Sequence, residues 1–68
     1  MTYNTACARA RSLSRNAPDG LAYVVRDDVA GEIDRTYQPW TYASSEEMDT
    51  YFCGQEAVIA FERGEISQ

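Results

Sequence analysis

Hydrophobic positions follow a helical spacing in two places along the chain and alternate with polar ones elsewhere. From Thr2 to Arg15 there is no Gly or Pro, and Tyr3, Cys7, Ala10 and Leu13 recur near the helical period, which predicts a first helix with Thr2 as its N-cap. Arg11 and Arg15 lie toward the negative end of its dipole, and Asn16-Ala17-Pro18-Asp19-Gly20 stops it. Its apolar stripe is rich in alanine, so it can lie close on a sheet. Leu21 to Arg26 is aromatic and β-branched and reads as a strand with Leu21, Tyr23 and Val25 on its inward face. A turn from Asp27 to Gly31 leads into Glu32 to Tyr37, where Ile33 and Tyr37 share one face and Glu32, Asp34 and Thr36 the other, predicting an antiparallel hairpin. Pro39 ends that strand or marks an edge, and Gln38 to Ala43 either extends it past a bulge or runs as a loop. Ser44-Ser45-Glu46-Glu47 has the capping-box pattern, opening a short helix with Met48, Tyr51 and Phe52 at i, i+3 and i+4 and Gly54 placed for a left-handed end. Glu56 to Glu62 is a third strand with Ala57, Ile59 and Phe61 inward, after which Arg63-Gly64-Glu65 turns toward the tail.

The expected architecture is therefore α+β, in the order α-β-β-α-β, forming a single domain over residues 1–68. A three-stranded antiparallel sheet with two helices on one face is the simplest way for these stripes to share a core. The other face would be solvated and would carry Val24, Arg26, Val58 and Glu62 together with Glu32, Asp34 and Thr36.

Size and composition narrow the chemistry. A chain of 68 residues and 7.6 kDa has room for one thin core and none for a deep substrate cleft. It has no His and no Lys, so it lacks the usual neutral-pH proton carrier, the Schiff-base amine and the commonest metal ligand. Neither Cys7 nor Cys53 has a basic activator of that kind, and Asp27-Asp28-Val29-Ala30-Gly31 does not follow a calcium-loop pattern. The expectation is a non-enzyme with no catalytic residue, cofactor or metal. The two cysteines are too sparse for a secreted scaffold, and free buried thiols are expected, although one bridge would be possible if both face the same core layer. The longest apolar run, Ala57 to Phe61, is far short of a membrane span, and the N-terminus has no charged-then-apolar signal pattern, which together predict a cytoplasmic protein that makes no membrane contact.

Charge changes the picture more than composition does. The net charge of −5 conceals a division at Pro18: Arg9, Arg11 and Arg15 precede it without an acid, whereas all eleven acids follow it against only Arg26, Arg35 and Arg63. This balance disfavours direct nucleic-acid binding and favours a basic protein partner. Asp27, Asp28, Glu32 and Asp34 would make a row of carboxylates on the hairpin, comparable in regularity to a phosphate backbone. Glu56 opens the last strand, Glu62 closes it and Glu65 follows. Trp40, beside Pro39, is the aromatic best placed to be partly exposed as an interface anchor. The expected contact residues are Asp27, Asp28, Glu32, Asp34, Trp40, Glu56, Glu62 and Glu65. Glu46, Glu47 and Asp49 are accounted for mainly by helix capping and the helix dipole.

In size, element order, acid bias after Pro18 and the C-terminal pattern Glu47-Met48-Asp49-Thr50-Tyr51-Phe52-Cys53-Gly54-Gln55-Glu56-Ala57-Val58-Ile59-Ala60-Phe61-Glu62, the chain resembles the anti-CRISPR proteins encoded by phages and mobile elements. That resemblance implies a monomeric inhibitor that binds an effector subunit of a CRISPR surveillance complex and, by mimicking DNA, blocks its basic groove in a bacterial cytoplasm. The three-arginine first helix departs from a uniformly acidic mimic, which suggests that this helix faces away from the partner. The alternative is an antitoxin-like or regulatory protein that neutralises a basic partner without imitating DNA.

Overall fold

A computed structural model describes residues 1–27 and 39–67. Their elements are α1 (Tyr3–Asn16), β1 (Leu21–Arg26), β2 (Trp40–Ser44), α2 (Ser45–Asp49), β3 (Ile59–Glu62) and β4 (Glu65–Ile66). The predicted turn after Asp27, the strand Glu32 to Tyr37 and the candidate residues Asp28, Glu32 and Asp34 lie outside the described residues.

The α+β class holds, but among the described residues the sheet has four strands, all antiparallel, in the order β2-β1-β3-β4. β1 lies between β3 and Trp40–Ser44, so the Gln38 to Ala43 segment runs as a strand from Trp40 on, in a register from Ala22↔Ser44 to Arg26↔Trp40. The fourth strand arises at Arg63-Gly64. Both residues have positive φ, +50° and +87°, the signature of a two-residue hairpin turn whose twist matches its strands, so the expected tail folds back and pairs as Glu62↔Glu65 and Phe61↔Ile66.

The expected placement of both helices on one face is corrected. Successive strand residues point to opposite faces, yet Val24 and Val25 are both fully buried, which requires cover on both sides of β1. α1 supplies one cover through Ala6 and Ala10, packed with Ala22, Val24 and Phe61. On the other face Phe52 closes over Val25 and Ala43, with Met48 and Ala57 against them. Val24, expected on a solvated face, is therefore core on the α1 side. The inward stripe of α1 runs through Ala6, Ala10 and Ser14, with Cys7 and Leu13 half-buried beside it and Tyr3 at its exposed margin. Alanine at three of the contacting positions removes side-chain bulk between helix and sheet.

The capping predictions hold in detail. Thr2 Oγ1 accepts from the Thr5 amide at 3.1 Å, and Ser44 Oγ accepts from the Glu47 amide while Glu47 Oε1 accepts from the Ser44 amide, both at 3.2 Å. α2 is one short turn, because Thr50 departs from helical geometry at φ −116° and ψ −80°. The chain then turns through Gly54, which has φ +89°, and the last predicted strand is shortened at its start to Ile59. Of the predicted α2 stripe, Phe52 is buried and Met48 half-buried, whereas Tyr51 is 71% exposed.

A candidate binding surface at one end of the sheet

Antiparallel pairing sorts the acids by where their segments meet. β1 begins beside the ends of β2 and β3, as the pairs Ala22↔Ser44 and Leu21↔Glu62 show. The α1–β1 turn, the N-terminus of α2 and the β3–β4 turn consequently lie at the same end of the sheet. They bring Asp19, Glu46, Glu47, Glu62 and Glu65 there together.

The local geometry is well tied. Asp19 Oδ1 accepts from the Leu21 amide at 3.0 Å, and the Gly20 carbonyl accepts from the Arg63 amide at 2.8 Å, fastening the first turn to the last. Asp19 and Glu46 share the rim of an open depression of about 230 Å³, lined also by Ala17, Pro18, Ser44 and Ser45. The Asp19 carboxyl is held below the usual carboxylate range, chiefly by the neighbouring Ser45 hydroxyl and then by the Leu21 amide. Ser45 Oγ is enclosed and lies off the geometry of a well-formed hydrogen bond.

At the β3–β4 turn, Ser14 on α1 is the key support. Its hydroxyl donates to the Arg11 carbonyl at 2.7 Å and accepts from the buried Gly64 amide at 2.8 Å. The exposed Glu62 and Glu65 face each other across this hairpin, beside a depression of about 380 Å³ lined also by Arg63, Ile66 and Ser67. Like charges directly opposite in a sheet are unfavourable. Arg63 interrupts the acids, and the Arg15 side chain lies against Gly64, so this end is acidic without being uniformly so.

The remaining candidates are elsewhere. Asp27 is half-buried past the far end of β1, about 20 Å from Leu21 at strand rise. Its amide donates to the Pro39 carbonyl. Glu56 is exposed and leads into β3 from that far end, because the Val58 amide donates to the Val24 carbonyl at 2.8 Å. Trp40 is also there, half-buried on the α1 side. Tyr3 meets it edge-on at 5.1 Å, the Arg26 guanidinium lies 5.8 Å from its ring and the Met1 amino group donates to its carbonyl at 3.3 Å. The structure thus brings Glu62 and Glu65 together and separates them from Asp27, Glu56 and Trp40. Asp19, Glu46 and Glu47 were not among the expected contact residues. The signal available was that a Pro-Asp-Gly turn and a capping box flank two segments that pair antiparallel.

Both cysteines are free. Cys7 packs half-buried with the α1-side core and Cys53 is exposed in the turn after α2, so the expectation that both thiols are buried fails for Cys53. The Tyr3 hydroxyl is raised above its usual range, first by its hydrogen bond with Cys7. Among the described residues no group of His, Cys, Asp or Glu is arranged to hold a metal ion, and no helix is long and apolar enough to cross a membrane. No protein-family model, curated protein or solved structure matches the chain.

Proposed function

We propose that the protein is a stoichiometric binding protein whose acidic end docks on a basic protein surface. In its sharper form, the reading is that of an anti-CRISPR-like inhibitor occupying the surface of a surveillance complex that receives target DNA. The observation that carries the proposal is the convergence of Asp19, Glu46, Glu47, Glu62 and Glu65, drawn from three separate segments, on one end of the sheet. Charges held on a fixed scaffold steer association with an oppositely charged surface and lose little entropy on binding. The hairpin acids expected to extend this surface play no part in the argument, since Asp27 belongs to the far end and the others lie outside the described residues.

A purified guide-loaded surveillance complex with a labelled target duplex provides the test. Stoichiometric addition of the protein is expected to block duplex binding, with affinity falling steeply as salt rises, and the combined Glu62→Lys and Glu65→Lys substitutions should relieve the block by slowing association. Unimpaired duplex binding across the effector types would remove the anti-CRISPR form. Undiminished inhibition by the double variant would remove the acidic end.

A second reading is an antitoxin-like or regulatory protein that neutralises a basic partner without imitating DNA. It is favoured by Arg15 and Arg63 standing among the acids, because a phosphate backbone has no such interruptions. This reading predicts a partner whose basic surface binds no nucleic acid.

A further inference from the structure

The flank of α1 that faces β2 has the opposite character to the acidic end. Arg9, Ser12, Leu13, Asn16 and Tyr42 surround a depression of about 280 Å³. Leu13 and Tyr42 are half-buried and belong to the α1-side core, so the floor is apolar. The rim is cationic and polar: Arg9 is exposed, and Asn16 holds its place by donating to the Ser12 carbonyl at 3.0 Å. Among the described residues no carboxylate lines the groove, and α1 contributes no acid to oppose Arg9.

The matching surface is on the same chain. At the β4 edge, the exposed Glu62 and Glu65 flank the two-residue Arg63-Gly64 turn, so two carboxylates stand against the one guanidinium of Arg63, and Ile66, 55% exposed, follows. A short edge strand entering a groove sets the side chains of both its faces against the walls, so it can present carboxylates and an aliphatic group together. The strand order places the groove at the β2 edge and the turn at the β4 edge, so the two cannot meet within one molecule.

We infer that the α1–β2 groove receives the Glu62–Ile66 hairpin tip of a second copy of this chain, with the tip carboxylates facing Arg9 and Ile66 against Leu13 and Tyr42. Because the two surfaces lie on opposite edges, the contact is head-to-tail and leaves a groove and a tip open at the ends of every assembly that does not close into a ring. Each copy carries −5, but the molecule's extents of 32 × 23 × 19 Å keep the centres of two copies about two Debye lengths apart at roughly 0.1 M ionic strength. Long-range repulsion is then screened, whereas the contact pair is not. The interface is small, so association is weak and concentration-dependent. Dilute protein is a monomer, and crowded protein covers its own acidic end until a basic partner competes for it. The inference stands independently of which partner that is.

Sedimentation velocity of the full chain at about 0.1 M ionic strength, from about 10 μM to about 1 mM, tests it over the range where weak contacts register. The mean mass should rise steadily with concentration. Arg9→Glu and Glu65→Arg should each lower the association constant about tenfold or more, and an equimolar mixture of the two should regain association, because each swapped tip then meets a swapped groove. Arg9→Gln and Glu65→Gln give the same single-variant reading if a charge reversal perturbs the fold, which circular dichroism reports. A wild-type chain that stays monomeric at about 1 mM, association indifferent to Arg9, or a mixture that fails to regain it would each overturn the inference.

Discussion

Ser14 shows how much a single hydroxyl can hold in a chain of this size. It is the one buried polar residue among the described residues, and its oxygen satisfies the Gly64 amide across fifty positions of sequence. Ser14→Ala leaves that amide buried without a partner, which costs about 1–3 kcal/mol. Urea unfolding should show the loss as a lower midpoint with an unchanged slope. Gly64→Ala should cost at least as much, for two reasons. Its φ of +87° disfavours a side chain, and the added methyl would lie 2.3 Å from Arg15 Nε. The hydrogen bond was not legible in the sequence, because serine on an alanine-rich stripe looks like any other small residue. The turn itself was legible, since Arg-Gly between two acids signals a reversal. Whether a following strand pairs depends on a support fifty residues away.

Elements whose ends are fixed by local chemistry were the readable ones. Thr2, the Pro-Asp-Gly turn and the Ser44–Glu47 box each satisfy backbone groups within a few residues, so their sequence sufficed to place α1, β1 and α2. Ser44→Ala should destabilise the fold by about 1 kcal/mol, read as a lowered thermal midpoint, because both halves of the capping box are lost. Asp19 adds a pH dependence. Its folded pKa is depressed, so its stabilising contribution is complete above the unfolded value near 4 and disappears as pH falls through the lower folded value. Acid unfolding of Asp19→Asn should accordingly show a shallower pH dependence below about pH 4, and an unchanged profile would mean that the carboxylate is not what ties the turn to Leu21. The side of the sheet to which each element packs was much less readable. Leu21-Ala22-Tyr23-Val24-Val25 suits a strand with one face buried or with two, and only the cover from Phe52 opposite α1 decides for two.

At the scale of the molecule, the charge division at Pro18 does not become a division in space among the described residues. Arg15 lies against the β3–β4 turn, and Asp19, Glu46, Glu47, Glu62 and Glu65 at the converged end stand apart from Asp27 and Glu56 at the far end, an arrangement set by antiparallel register and invisible in a running count of charge. The converged end also stores a cost. Glu62 and Glu65 are opposite one another on an exposed two-residue hairpin in a chain of net charge −5, where repulsion opposes folding both locally and globally. Glu65→Arg converts that pair into an attractive one and reduces the net charge. It should raise stability by about 0.2–1 kcal/mol, which is up to several degrees of thermal midpoint for a domain of this length. Added salt should stabilise the wild type more than the variant, because it screens a repulsion the variant no longer has. If the acidic end is the docking surface, the same substitution must weaken partner binding while it strengthens the fold. Opposite signs in the two measurements are what separate a retained functional surface from a surface that merely keeps the protein in solution. A variant that gains stability and binds its partner undiminished would place the docking surface elsewhere on the molecule.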